Sequence, residues 1–394
     1  MTSKSLDSIG SNIWKLSVLR GLAFAWFPIP TIILFYQSHG VGLEQAVLLK
    51  TILSLSILLL EVPSGYIADR LGRKFCLIVG SSVWLCGWLF YCTGNSFSWF
   101  AIAEILAGIA VSLISGADTA IAYETLLQLN KADAYRSFEG RLIAIAGITE
   151  AVCGLIGAAI AEINLVYPFY LQTVCLALYL AISCTLIEPR CQVEQADRQH
   201  FLSSKAIIFD VFTQHPNLLW LILLSSIFST ATFLIVWLSQ GYFQLIDLPI
   251  AAMGWTWAIF HLLMSLASVN ARRLENRLGT KKALLVLIVL LSVAYLFLGS
   301  INSLGGIFFI ALIYLVRGAR SPLTLNLINQ SVPSSIRATV LSLSSFSFHL
   351  GFAVFAPIIG AVSSRYSLSL GLFVSGCCFL IAGCWCWYQY QVKS

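Results

Sequence analysis

Apolar segments of about 20 residues follow one another along nearly the whole chain, with short polar connections between them. A helix of that length spans the roughly 30 Å hydrocarbon core of a bilayer. With its connection each span takes roughly 33 residues, so 394 residues hold about twelve spans. Only 10% of the residues are charged, whereas a soluble globular protein is usually about 25% charged. The sequence therefore predicts an all-α integral membrane protein with twelve transmembrane helices.

The distribution of lysine and arginine orients these spans in the membrane. The polar N-terminal stretch "MTSKSLDSIGSNIWK" has no signal-peptide pattern, so we expect the first span to remain in the mature protein. Basic residues concentrate in the loops after the even-numbered spans, which predicts that these loops and both termini are cytoplasmic. We place the spans at 14–38, 43–67, 75–94, 98–126, 138–162, 165–187, 216–245, 250–271, 283–301, 304–330, 335–363 and 367–389.

The longest polar connection, residues 188–215, divides the chain into two halves of six spans each. An internal repeat supports this division, because "DRLGRK" at 69–74 recurs as "NRLGTK" at 276–281 after the second span of the other half. We therefore expect an N-terminal six-helix bundle at 1–187, a cytoplasmic loop at 188–215 and a C-terminal six-helix bundle at 216–394, related by pseudo-symmetry.

The stretch "GYIADRLGRK", residues 65–74, resembles the signature loop of the major facilitator superfamily, G-x-x-x-D-R/K-x-G-R-R/K. The segments "EVPSGYIAD" (61–69), "SGAD" (115–118) and "RATVLS" (337–342) are similar to those of its bacterial proton-coupled, efflux-like branch. The resemblance implies the fold of that superfamily, a small-molecule substrate and a multi-pass location in the cell (inner) membrane.

The charged residues of this loop have both a topological and a conformational interpretation. Gly65 and Gly72 would permit close helix contact and a tight turn, and the basic residues Arg70, Arg73 and Lys74 would hold the loop at the cytoplasmic side. The odd residue is Asp69, whose carboxylate would suit the positive N-terminal end of span 11 near residues 333–337. The resemblance implies a latch that stabilises the outward-facing state. The alternative is that these charges only set topology.

Charged residues inside the spans are costly, by roughly 2.5–3.5 kcal/mol each at a helix centre, and are candidates for function. In the N-terminal half most are acids, and burial favours the protonated form of a carboxyl group. Glu104, Asp118 and Glu150 are therefore candidates for proton coupling. Asp118 has the alternative role of a structural partner for Arg73 or Arg141. We expect Glu61, just before the signature loop, to join a cytoplasmic ion-pair network.

In the C-terminal half the mid-span charges are basic. Arg317 and Arg320 share one face of span 10 and offer forked hydrogen bonds to an acidic group. The alternatives are that Arg317 pairs with an acid of the N-terminal half or with backbone carbonyls and never touches substrate, and that Arg320 reaches for the interface. Polar and aromatic residues also form a stripe along span 7. The candidate substrate-binding residues are Arg317, Trp237, Gln240, Thr230, Arg320, His349 and Arg20.

These features predict a secondary active transporter that moves a small organic solute by alternating access, with proton-coupled export as the first choice. The alternative is uptake or facilitated diffusion of an organic anion, motivated by Arg317. Where drug–proton antiporters of the superfamily carry an arginine in span 4, this chain has Glu104 in "EILAG", and span 5 lacks their Gly-Pro pair. Both departures weaken an unqualified drug-antiporter assignment.

No enzyme motif, P-loop or metal-ligand cluster is present in the sequence, so we expect neither an enzyme nor a cofactor or metal. The net charge of +6 does not indicate nucleic acid, because the basic residues occupy short loops between spans. The expected partners are a small-molecule substrate, a proton and the lipid bilayer, and we expect a monomer.

Overall fold

The computed structural model describes residues 3–189, 216–332 and 336–392, and almost all of these residues are helical. Within them, eleven helices are long and apolar enough to cross a membrane, and one shorter apolar helix accompanies them. The chain is a multi-pass membrane protein, and the expected twelve-span, all-α fold is confirmed. Spans 2 to 12 are the helices Leu43–Leu71, Arg73–Thr93, Phe97–Gln128, Tyr135–Ala161, Tyr167–Thr185, Pro216–Leu245, Ile250–Leu278, Thr280–Ser300, Gly306–Ser331, Arg337–Arg365 and Leu368–Val392.

Span 1 is the one span that is not a continuous helix in the described residues. It consists of a helix at Ser3–Ala23, a 3-10 turn at Ile29–Thr31 and a short helix at Ile32–Ser38. The expectation of one helix over 14–38 was therefore wrong. Pro28 and Pro30 explain the break, because each lacks an N–H group for helical hydrogen bonding and restricts the residue before it.

Contacts divide the chain into two compact units. The beginning of span 2 belongs to the second unit and the beginning of span 8 to the first. The first unit comprises Met1–Gly42, Ile52–Val193 and Pro249–Ala258, and the second comprises Leu43–Thr51, Glu194–Leu248 and Ile259–Ser394.

The first unit packs around close helix contacts and a buried aromatic cluster. A Cβ atom on Gly157 of span 5 would overlap the carbonyl oxygen of Phe27 in span 1, so only glycine allows this approach. The ring centroids of Phe100 and Phe169 lie 5.3 and 4.0 Å from that of Phe35, and all three residues are fully buried. This cluster joins spans 1, 4 and 6.

The second unit uses the same devices. A Cβ atom on Gly318 of span 10 would overlap the carbonyl oxygen of Met264 in span 8. The buried Tyr295 hydroxyl of span 9 donates a hydrogen bond to the carbonyl oxygen of Ala231 in span 7, at 2.6 Å. Because lipid is as apolar as the helices, such close packing and buried hydrogen bonds hold the spans together.

The internal repeat has a structural counterpart in two turns. Gly72, between spans 2 and 3, has φ +95°, and Gly279, between spans 8 and 9, has φ +72°. Each glycine is the single residue between two long helices, in a backbone conformation that residues with a Cβ atom rarely adopt. The two copies of the motif therefore make the same kind of turn.

Candidate functional site

The first of these turns is stabilised by a residue from outside the signature loop. The carboxylate of Glu188 accepts hydrogen bonds from the backbone N–H groups of Arg73 (2.8 Å) and Lys74 (2.7 Å), the first residues of span 3. It therefore caps a helix N-terminus, where a negative charge is stabilising. The side chain of Arg73 forms an ion pair with Glu124 of span 4. Sequence reasoning missed Glu188, although it is the first acid after span 6.

The other residues of the signature loop have different surroundings. The guanidinium of Arg70 lies 4.9 Å from the ring centroid of Tyr66. None of the described residues would come within 4 Å of a Cβ atom on Gly65, so the close helix contact expected there stays a prediction. The side chain of Asp69 and residues 333–335 lie outside the described residues, so the latch stays a prediction.

The two glycines of the loop should respond differently to a methyl group. We expect Gly72→Ala to destabilise the protein by about 1–3 kcal/mol, because φ +95° is strained for alanine. Gly65→Ala, inside a helix with open space around it, should be neutral or stabilising by about 0.5–1 kcal/mol. Thermal unfolding of the purified variants in detergent measures both. A melting temperature that falls equally in the two variants would contradict this difference.

A charged network in the first unit joins spans 1, 4 and 5. The guanidinium of Arg20 lies 3.1 Å from Asp118 and 3.8 Å from Glu139. Asp118 therefore pairs with Arg20, and the expectation that its partner is Arg73 or Arg141 was wrong. Helix packing explains the difference, because it brings span 4 against span 1 at this depth. Sequence reasoning missed Glu139, which lies within the helix of span 5 close to its start.

A cavity of about 260 Å³ lies beside this network, within the first unit. Aromatic side chains form much of its wall. The ring centroids of Trp26 and Trp84 are 5.8 Å apart, and those of Trp84 and Tyr179 are 6.2 Å apart. The polar lining includes Arg20 and Asp118. The cavity thus combines apolar aromatic walls with a charged side.

Glu104 lies in a separate buried cluster of the first unit. Its Oε1 atom accepts hydrogen bonds from the hydroxyl groups of Tyr36 (2.9 Å) and Tyr91 (2.5 Å), and the two hydroxyl oxygens are 2.8 Å apart. The side chain is only 2% exposed. Sequence reasoning missed both tyrosines, and their position within apolar runs was the one sequence signal that they are buried.

Two other acids of the spans, Glu150 on span 5 and Glu61 on span 2, are half-buried.

In the second unit the two arginines of span 10 point to span 7. Arg317 Nη1 donates a hydrogen bond to the carbonyl oxygen of Thr232 (3.3 Å), and Arg320 Nη1 donates to Ser229 Oγ (2.7 Å). Among the residues that the structure describes, no carboxylate forms an ion pair with either arginine. The backbone contact expected as an alternative for Arg317 is therefore present, and the arginines share one face as expected.

The remaining substrate-binding candidates, Thr230, Trp237, Gln240 and His349, lie on spans 7 and 11 of the same unit. The first three are buried, and His349 is half-buried. The ammonium of Lys50, near the start of span 2, lies 4.6 Å from the ring centroid of Trp237. Lys50 is buried, with 3% of its surface exposed. Lys50 was missed, although it interrupts the apolar run of span 2 and so gave a clear signal.

Comparisons with known proteins agree on one family. The family model described as the Major Facilitator Superfamily matches residues 17–319. The MFS-type transporter YxaM of Bacillus subtilis (strain 168) is 24% identical over 390 residues, which cover 94% of this chain and 93% of the relative. The MFS-type transporter YceJ of the same strain is 25% identical over 309 residues, or 75% and 74% of the two chains.

Solved structures show the same fold. The nucleoside transporter NupG matches with a TM-score of 0.76 at 13% identity, over 97% of this chain and 98% of its own. A D-xylose-proton symporter matches with a TM-score of 0.73 at 14% identity, over 94% and 96% of the two chains. At these identities the likeness establishes the fold and leaves the substrate open.

Proposed function

Because the chain belongs to the major facilitator superfamily, we propose that it is a secondary active transporter that moves a small organic solute by alternating access, coupled to protons and acting in export. We propose that 1–187 and 216–394 are its two six-helix bundles, joined by a cytoplasmic loop at 188–215, and that it works as a monomer in the cell (inner) membrane with both termini in the cytoplasm. The division into two bundles is supported by the repeated turn, which occurs once in each half, at Gly72 and at Gly279.

The observation that carries the coupling proposal is the cluster around Glu104. Three oxygen atoms, of Glu104, Tyr36 and Tyr91, make three mutual contacts of 2.5–2.9 Å. With Glu104 ionised, only the two hydroxyl protons are available for three contacts. A proton on Glu104 would supply the third hydrogen, and it would also remove a charge from the bilayer interior. We therefore assign Glu104 as the first candidate for the coupled proton, with Asp118 and Glu150 as the others.

Proteoliposomes loaded with the pH-sensitive dye pyranine test the function. A gradient of a transported compound should move protons in the opposite direction, because export against a proton gradient exchanges the two. The panel should contain permanently charged organic cations, organic sulfonates and neutral solutes, with protein-free liposomes as the control. Proton movement in the same direction as the compound would overturn export by exchange, and counterflow without proton movement would overturn the coupling.

The second candidate function is uptake or facilitated diffusion of an organic anion, and the surroundings of Arg317 and Arg320 favour it. Neither arginine has a carboxylate partner among the described residues. Three buried donors of the same unit also lack a hydrogen-bond acceptor there, namely Arg320 Nε, Trp237 Nε1 and the hydroxyl of Thr230. Unsatisfied buried donors are costly, and an anion would satisfy them.

A thermal-shift assay with benzenesulfonate tests the anion site on which the second candidate depends. Under the anion function, benzenesulfonate should stabilise the wild type, and Arg317→Ala should weaken its apparent affinity by about tenfold or more, because a charge-assisted hydrogen bond is lost. The matched control is Arg365→Ala, which removes an exposed arginine at the end of span 11. Stabilisation that is equal in wild type and Arg317→Ala would rule out a site at Arg317.

A further inference from the structure

The cavity beside Arg20 is lined by aliphatic side chains and by four aromatic ones. Trp84 and Tyr179 are nearly fully buried, at 4% and 2% exposure, and they lie with Phe24 and Trp26 around its surface. The faces of aromatic rings carry negative electrostatic potential and attract cations, best when the site is shielded from water. The guanidinium of Arg20 already lies 5.9 Å from the ring centroid of Phe24.

The charged residues that line this cavity are Arg20 and Asp118, and a second acid, Glu139, lies next to Arg20 outside the lining. One guanidinium, of Arg20, stands against two carboxylates, of Asp118 and Glu139, at 3.1 and 3.8 Å. With both acids ionised, the described side chains of this network carry one net negative charge. Glu139 Oε2 is buried and has no hydrogen-bond partner among the described residues. An uncompensated charge within a membrane span is costly, so a further positive charge beside Glu139 and Asp118 would be stabilising.

The size of the cavity limits the occupant. Its volume of about 260 Å³ is slightly smaller than that of a typical site for a drug-sized ligand, which is about 300–1,000 Å³. A ligand of one ring with a compact ammonium group matches this volume. Its ring would pack against Trp84 and Tyr179, and its ammonium group would face Asp118.

We propose that this cavity of the first unit binds a small aromatic organic cation, with Trp84 and Tyr179 contacting its ring, Asp118 contacting its positive charge, and Glu139 adding a second negative charge next to Arg20. The inference rests on the proposed function, because it names a substrate class for the transporter. It places the positive charge of the substrate near Arg20 and Asp118, and it adds Glu139, Trp84 and Tyr179 to the site.

Calorimetric binding of benzyltrimethylammonium to the purified full-length protein in detergent tests this site. Benzyl alcohol, which keeps the ring and carries no charge, is the matched ligand control. The wild type should bind the cation at least about tenfold more tightly than benzyl alcohol, which corresponds to a single charge-assisted contact. Glu139→Gln should reduce cation affinity by about tenfold, and Trp84→Leu should reduce it by several-fold.

Two control variants each remove one residue away from the cavity, either an acid or a tryptophan. Asp133→Asn removes an exposed acid from the turn at Ala132–Ala134, and Trp385→Leu removes an exposed tryptophan of span 12. Both should bind the cation as the wild type does. Because Trp84→Leu removes a buried ring, its folding must be checked by thermal unfolding. Glu139→Gln is nearly isosteric and keeps the test decisive if Trp84→Leu does not fold.

Three results would overturn the proposal: no cation binding, equal affinity for the cation and benzyl alcohol, or cation binding unchanged in Glu139→Gln. Because this experiment measures binding without transport, its failure leaves the transporter function untouched. Conversely, cation binding that depends on Glu139, together with no transport of any compound in proteoliposomes, would contradict the proposed function and leave the site standing.

Discussion

The melting temperature of Arg20→Met should fall by at least about 5 °C relative to the wild type, and its transport should be lost. Without the guanidinium, the carboxylates of Asp118 and Glu139 would lie near one another with no described positive charge between them. Removing one partner of a fully buried ion pair typically costs about 3–5 kcal/mol, because the other charge is left uncompensated. This pair is mostly buried, at 17% and 22% side-chain exposure, so the cost should lie towards the lower end. Thermal unfolding of the purified protein in detergent measures the effect.

A double-mutant cycle identifies the cause of this loss. Adding Asp118→Asn to Arg20→Met removes one of the two orphaned charges, so it should restore part of the melting temperature. Arg365→Met is the matched control, since Arg365 is exposed at the end of span 11 and its loss should change the melting temperature little. Purely additive effects of the Arg20 and Asp118 substitutions would show that the pair contributes nothing to stability.

Glu104→Ala should also strongly destabilise the protein, by about 2–4 kcal/mol. It removes the acceptor of two buried tyrosine hydroxyls, and each buried polar group left unsatisfied costs about 1–3 kcal/mol. The expected loss of stability is smaller than the sum for two isolated hydroxyl groups. The hydroxyls of Tyr36 and Tyr91 are 2.8 Å apart, so one can still donate a hydrogen bond to the other. Thermal unfolding of the purified variant measures the change.

Glu104→Gln is the matched variant that separates structure from proton transfer. The glutamine amide keeps an acceptor oxygen for the tyrosines, so the melting temperature should stay near that of the wild type. Glutamine does not exchange a proton, so compound-driven proton movement in proteoliposomes should disappear. If Glu104→Gln transports protons as the wild type does, Glu104 has only a structural role and the proposed coupling must move to Asp118 or Glu150.

Several features of this protein were predictable because they depend on local sequence. Span number and helix type follow from the length and hydropathy of the apolar runs, which are compared directly with bilayer thickness. The turn at Gly72 and its copy at Gly279 were predictable because glycine alone readily adopts a positive φ between two helices. The break in span 1 had a local signal as well, in Pro28 and Pro30, which the hydropathy pattern concealed.

The pairing of the buried charges was decided by the tertiary structure. Asp118 pairs with Arg20, nearly a hundred residues earlier, and the arginines expected as its partners have other contacts. Glu104 was a candidate because an acid in a span is costly, but its tyrosine partners come from two other helices. Hydropathy determined that these charges lie within the membrane. Their partners depend on which helix faces meet and at what depth, and that is set by the packing of whole helices against one another.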